Sequence, residues 1–140
     1  MLERNTDYTR AEIAEAITGK PMNPQVWNQG YVDTHDHIVL LVTLEKTGFD
    51  PKHRYSDVLR MSGGTVTGIS WTSQNRHSQT SKAGQRMSTH AELGVPVHLC
   101  VRKTKKIKGG KAAPFVYHGR VEFVSWAGNK PITVEWRLEQ

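Results

Sequence analysis

The sequence predicts a mainly β domain of the α+β class: a small curled antiparallel sheet or β-barrel with one N-terminal helix. Three observations lead there. The chain has 140 residues, the size of one domain with a core of its own. Two runs rich in β-branched residues, 37-HIVLLVTLEK-46 and 95-VPVHLCVRK-103, have the length and nearly unbroken apolar character of buried strands. Shorter alternating segments lie around them, separated by turn residues, and only one stretch has clear helical spacing. A sandwich is the structural alternative to the barrel. A single domain over 1–140 is expected, with the helix at about 9–18 and the barrel over about 26–138.

The helix comes first. In 8-YTRAEIAEAITG-19, Thr9 is a good N-cap and Glu12 three residues later completes a capping box. Ile13, Ala16 and Ile17 give one apolar face, and Gly19 followed by Pro21 ends the helix. The segment 24-PQVWNQGYVD-33 reads as an irregular entry with a short strand. After the central strand, 47-TGFDPKHRYSD-57 is a loop, and 56-SDVLRM-61 fits either strand or helix. Gly63 and Gly64 turn the chain into the strand 65-TVTGISW-71. A helical turn is accommodated within 83-AGQRMSTHAELG-94. Beyond the second strong strand lies a basic hairpin tip, 102-RKTKKIKGGKAA-113. Then 114-PFVYHGRVEFVSW-126 and 131-PITVEWRL-138 form two strands joined at 127-AGNK-130.

Composition narrows the function classes. Net charge is +6 and the sequence pI about 9.6, which favours anionic partners, nucleic acid first and acidic membrane surface second. The single cysteine, Cys100, excludes an internal disulfide and a Cys-type zinc site, and reads as a small buried hydrophobe. No apolar run approaches membrane-spanning length, and the charged start MLERNTDYTR lacks a signal-peptide core, so the cytoplasm is the expected compartment.

Motifs for catalysis are thin. His35 and His37 are two apart and would share a face on a strand, where Asp36 or His118 could join them around a metal. No HExxH, GxSxG or GxxxxGK pattern accompanies them, and Glu12, Glu15, Glu45, Glu92 and Asp57 form no paired-carboxylate motif. No cofactor is expected.

The informative feature is the polar run 68-GISWTSQNRHSQTSKAGQRMSTH-90. Arg side chains match guanine edges and Gln or Asn match adenine, while Ser, Thr and Lys suit phosphate oxygens. Trp71, Ser73, Gln74, Asn75, Arg76, His77, Gln79, Lys82, Gln85 and Arg86 all fall within it. Tyr31, Tyr55, Trp71 and Trp126 are aromatic surfaces for stacking on a base or holding an extruded one. The bland counterpart is an ordered loop bonded to its own backbone, with Gln85 and Arg86 pinning it to the barrel and 76-RHSQTSK-82 left as the exposed, mobile part. The basic run 102–111 holds six of the nineteen Lys and Arg residues, among them Lys105, Lys106 and Lys108. It is either a solvated tip or a finger that neutralises phosphates.

The succession YTRAEI, NQGYVD, LLVTLEKTGFDPKHRYSD, ISWTSQN and AGQRMSTH, with a strand ending in VR and a closing WRL, resembles a bacterial family. This is the domain of unknown function at the C-terminus of certain superfamily-two helicases that also carry a phospholipase-D-like nuclease. The family is similar to an accessory domain of restriction-type proteins as well. The likeness runs from about Tyr8 to Leu138, and its pattern falls on Lys46, Arg54, Tyr55, Asp57, Trp71, Ser73, Gln74, Gly84, Gln85, Arg86 and His90. The resemblance implies a nucleic-acid-processing context and carries over no catalytic residue. By analogy it makes a barrel like the base-reading PUA and SRA domains plausible. It brings neither helicase nor nuclease into these residues, which leaves a stand-alone reader or a domain of a larger protein.

The resulting expectation is a module that binds duplex DNA, modified or distorted, for a restriction or repair system, without catalysis of its own. Arg76, Lys82, Arg86 and the 102–111 run would hold phosphates, and Trp71, Gln74, Asn75 and Gln85 would read or stack on a base. Arg54, Tyr55 and Asp57 would form the opposite wall, unless Asp57 is committed to a salt bridge with Arg54 or Arg86. The competing classes are a metal-assisted nuclease or hydrolase using His35, His37 and His90, and a protein-interaction domain that docks a helicase or nuclease.

Overall fold

The two strong strands lie side by side and point the same way. In the computed structural model, which describes residues 2–45, 57–73, 77–106 and 109–139, β3 (Ile38–Glu45) pairs in parallel with β6 (Val97–Thr104), Ile38 opposite Val97 and Val42 opposite Val101. A parallel pair needs a long crossover. Here it contains β4 (Val58–Ser62), β5 (Thr65–Thr72) and the short helix α3 (Lys82–Ser88). Every other pair is antiparallel, so the sheet is mixed where a wholly antiparallel one was expected.

The remaining strands are β1 (Thr6–Tyr8), β2 (Tyr31–Asp33), β7 (Phe115–Ala127) and β8 (Thr133–Leu138), and the remaining helices are α1 (Arg10–Thr18) and α2 (Pro24–Trp27). Strands follow the spatial order β2-β3-β6-β7-β8-β5-β4, with β1 added along β7. The path is open, and among the described residues no pairing closes β2 onto β4. The sheet nevertheless curls far enough to bring β2 at one edge against β5 near the other. Tyr31 on β2 meets Trp71 on β5 at 6.2 Å between ring centroids, although four strands separate β2 from β5 along the sheet. The fold is thus mainly β and curled with an N-terminal helix, as expected, and it stops short of a closed barrel.

Curling is helped by two bulges in the 13-residue β7. Against β6 the register slips between Leu99 and Cys100, and against β8 between Phe123 and Ser125. A bulge bends its strand and increases local twist.

Both faces of the central strands are covered, which accounts for their unbroken apolar sequence. Ile38, Leu40, Val42, Val97, Leu99 and Val101 point into the inner core with Ile69, Val121, Val134 and Trp136. Val39, Leu41 and Cys100 point to the outer face, where α1 lays Ile13 and Ala14 across them with Trp27 and Phe115. The predicted capping box is present: Thr9 Oγ1 accepts from the Glu12 amide at 3.1 Å, and Glu12 returns a carboxylate bond to the Thr9 amide at 2.9 Å. Gly19 ends α1 at φ 71°. The helix is rotated from the expected face: Ala14 is buried and Ala16 exposed. Strand β1 escaped prediction because it is three residues long, Thr6 and Asp7 are polar and only Tyr8 packs against the outer core, which makes no hydrophobic pattern. Segment 58–62, open between strand and helix, is a strand.

Candidate functional site

The polar run leaves the sheet at the end of β5 and folds back over its rim. Trp71 is 3% exposed and packs in the inner core, so it offers no stacking surface. Ser73 is buried too. Its amide donates to the Ile132 carbonyl at 2.8 Å, and its Oγ accepts from the Ile132 amide at 2.9 Å. Asp57 accepts from the Thr72 amide at 2.8 Å and so steadies the end of β5. Of the two ion pairs anticipated for Asp57, the one with Arg86 is not formed, because Arg86 bonds elsewhere, and Arg54 lies outside the described residues.

Arg76 lies outside the described residues, but 77–82 of the middle segment is docked, contrary to the expectation of a free and mobile 76–82. His77 is 5% exposed, and its carbonyl accepts from the Lys130 amide at 2.9 Å. The Gln79 amide donates to Asn129 Oδ1 at 2.7 Å, and its side chain donates to the Gly128 carbonyl at 2.9 Å. The turn joining β7 and β8 thereby clamps the run from outside. Ser81 caps α3 by accepting from the Gly84 amide at 3.2 Å. Gly84 is required there, because a Cβ would lie 2.0 Å from the Ser78 carbonyl oxygen. Gln85 is exposed and donates to the Gln79 carbonyl at 2.6 Å.

Helix α3 delivers Arg86 to Asp33, the last residue of β2. The guanidinium donates through Nε to Asp33 Oδ2, and through Nη2 to Asp33 Oδ1 at 2.9 Å and to the His35 carbonyl at 2.7 Å. Tyr31 also donates to Asp33, at 3.3 Å, and the His35 amide donates to it at 2.9 Å. Burial by itself would raise the Asp33 pKa. Hydrogen bonds from Arg86 and the His35 amide, the charge of Arg86 and the Tyr31 hydroxyl outweigh it and hold the carboxyl below its usual range. Arg86 is held more firmly protonated, chiefly through its hydrogen bond to Asp33. Burial, then Asp33, pushes the Tyr31 hydroxyl upward. With Nε and Nη2 occupied, Arg86 Nη1 finds no partner among the described residues.

These groups line a cleft of about 460 Å³ on the rim. Tyr31, His77 and Ala83 form its less polar side, and Arg86, Lys82, Gln29 and His35 bring polar groups to it. Tyr31 and His77 meet edge to face at 5.1 Å, which fixes the aromatic wall.

Of the anticipated residues, the structure gathers Lys82 and Arg86 at this cleft. It commits Trp71, Ser73 and Asp57 to the scaffold. Arg54, Tyr55, Gln74, Asn75, Arg76 and Lys108 lie outside the described residues. Lys105 and Lys106 are exposed on the basic hairpin, where Lys106 bridges to Ala112. Arg102 is not part of that exposed charge. It is 8% exposed, donates to Thr43 Oγ1 at 2.8 Å and lies 4.4 Å from the Phe115 ring centroid. Tyr31 is buried against Trp71 with one edge on the cleft, and Trp126 is half-buried against Phe123. Reading the sequence missed Asp33 and Gln29. No spacing rule links Asp33 to an arginine 53 positions later.

The histidines expected to share a face do not. His35 stands at φ 78° in a turn and opens on the rim cleft, whereas His37 lines a second cleft. Strand geometry begins only at Ile38, so the period of two does not apply to 35 and 37. Among the described residues no group of three or more His, Cys, Asp or Glu is arranged to hold a metal. His90 is a scaffold residue. Its Nδ1 bonds the Val95 carbonyl at 3.0 Å, and its Nε2 accepts from the Phe123 amide at 3.1 Å beside the β7 bulge. No described helix is long and apolar enough to cross a membrane.

No curated protein matches the sequence significantly. A family model does match, over residues 2–140, nearly the whole chain, and its description agrees with the resemblance to a domain of unknown function. The chain belongs to that family, the domain of unknown function DUF3427.

Proposed function

We propose that this protein is a DNA-reading module, without catalysis of its own, that takes a base or a backbone phosphate into the rim cleft. One observation carries the reading. Arg86 is locked by Asp33 and the His35 carbonyl, yet keeps Nη1 with no partner among the described residues, at the wall of a cleft bounded by Tyr31 and His77. A guanidinium fixed by a carboxylate presents its remaining donors without further loss of rotamer freedom. Acceptors on a base edge or a phosphate are its natural complement. A cleft of about 460 Å³ is roomy enough for one extruded nucleotide, with the edges of the buried Tyr31 and His77 rings on one side of it.

The flanking charge supports the same reading. Lys82 lies exposed at the cleft, Lys105 and Lys106 are exposed on the β6–β7 hairpin, and the chain carries net charge +6. Phosphate contacts of this kind give salt-dependent affinity and little sequence preference. A curled sheet that holds its ligand at the rim is similar in plan to PUA and SRA readers. Service beside a helicase or nuclease in a restriction or repair system is the context that the sequence resemblance implies.

Fluorescence anisotropy against plain and base-modified DNA, duplex and single-stranded, at two salt concentrations tests the reading. Binding at low salt that weakens with salt and falls with Arg86→Lys supports it. No binding to any of these at low salt overturns it.

A further inference from the structure

A second cleft opens on the opposite side of the sheet, beneath α1. Its volume is about 360 Å³, and it holds polar groups that the reading above leaves unused. His98, 5% exposed on β6, bonds on both ring nitrogens: Nε2 to His37 Nδ1 at 3.0 Å and Nδ1 to the Tyr117 hydroxyl at 2.8 Å. A neutral imidazole has one N–H, so the chain runs one of two ways. When Tyr117 donates to His98 and His98 donates to His37, a neutral His37 carries its own N–H on Nε2.

Two arginines flank this chain. Arg4 Nε donates to the His118 carbonyl at 3.1 Å. Its side chain crosses β7 at Gly119, which has φ 111° and where a Cβ would lie 3.0 Å from Arg4 Nε. Glycine takes the positive φ there, and its missing side chain leaves room for the arginine. The terminal nitrogens of Arg4 and the whole guanidinium of Arg120 have no hydrogen-bond or ion-pair partner among the described residues. Glu139 is the one carboxylate lining the cleft, so cations outnumber it two to one. Leu2, Ala16 and Ile17 form an apolar side.

We propose that this cleft is a second ligand site, for an oxyanion head, phosphate or carboxylate, carried on an apolar body. Arg4 and Arg120 take the charge, His37 supplies an N–H oriented through His98 and Tyr117, and Leu2 and Ile17 cover the body. Burial, followed by the charges of His37 and Arg120, pushes His98 down to about 4. The site is separate from the rim cleft and stands whether or not the rim binds DNA.

The test is histidine-ring NMR on the whole chain, titrated with inorganic phosphate, acetate and butyrate at constant ionic strength. Saturable shifts of the His37 and His98 ring nitrogens are expected, with butyrate tighter than acetate. Arg120→Gln and Arg4→Gln should each weaken binding roughly tenfold, the loss of one charge-assisted contact. Lys82→Ala should leave it unchanged. Gly119→Ala, which displaces Arg4 without removing a charge, should weaken it too. Shifts no different from those in sodium chloride, or affinities unchanged in both arginine variants, would overturn the proposal. A 12-nucleotide single strand separates the sources of the oxyanion. If it moves the same signals and Arg120→Gln weakens it, the head is a backbone phosphate. If it leaves them still while butyrate moves them, the head belongs to a free small molecule. The site stands in both outcomes.

Discussion

Arg86 on α3 reaches back 53 residues to grip both carboxylate oxygens of Asp33 at the end of β2. This pair ties the polar run to the edge of the sheet, and it also aims the guanidinium. Asp33→Asn and Arg86→Gln should each lower stability by about 1–2 kcal/mol, the range for a partly buried, charge-assisted bidentate bond. The double variant should lose less than the sum, with a coupling of about 1 kcal/mol. Urea denaturation of the four proteins measures this. Strict additivity would mean that the two groups do not interact.

Stability should fall as the solution is acidified through the range of His98. Its folded pKa, about 4, lies below the ordinary value of 6.5 that the unfolded chain would show. Below 6.5 the unfolded state takes up a proton that the folded state refuses, so stability declines from about pH 6.5 and levels off near pH 4. The full span is on the order of 3 kcal/mol. Urea midpoints from pH 7.5 to 4.5 give the slope, and His98→Gln should flatten it. A slope equally steep in the variant would assign the effect to other groups.

His90→Ala should cost about 2–4 kcal/mol, since it strips one buried carbonyl and one amide of their partners. Amide exchange locates the damage. The Phe123 amide beside the bulge should lose its protection, whereas the amides of β3 and β6 should keep theirs. Loss of protection across the whole sheet would mean that His90 holds the entire fold.

Gly84→Ala should destabilise by about 2 kcal/mol or more, because its methyl group would meet the Ser78 carbonyl where the backbone has no room. Limited proteolysis should cut the variant within 77–89 while the wild type resists. A thermal midpoint equal to that of the wild type would show that the run is not packed as described.

In DNA titrations, Lys82→Ala should reduce the slope of log affinity against log salt by about one, and Lys105→Ala with Lys106→Ala by about two. Trp71→Ala should instead act through folding, because its ring lies in the core. An unchanged slope in all of these variants would move the phosphate contacts elsewhere on the surface.

Much of the scaffold could be read along the chain. The capping box of Thr9 and Glu12, the β-branched runs 38–45 and 97–104, and the two C-terminal strands depend on neighbours within a few residues. So does the end of α1 at Gly19. These signals are local, and nothing distant overrides them. Where the distance grew, reading failed. A turn at 34–37 broke the strand period that would have put His35 and His37 on one face. The polar run looked free because its anchor, the turn at 128–130, lies some fifty residues away.

Composition and local pattern decided that the chain would be a basic, mainly β domain with a helix at its start and a long polar run after Trp71. The curl of the sheet decided what those residues do. By bringing β2 against β5 and folding the run back over the rim, it buried Trp71, turned Ser73 and His90 into scaffold, and joined Arg86 to Asp33. It also placed His37, His98 and Tyr117 in a chain of hydrogen bonds on the other face. Side-chain partners are set by which strands lie next to one another in space, and strand adjacency in a mixed sheet is a long-range property that no short window of sequence contains.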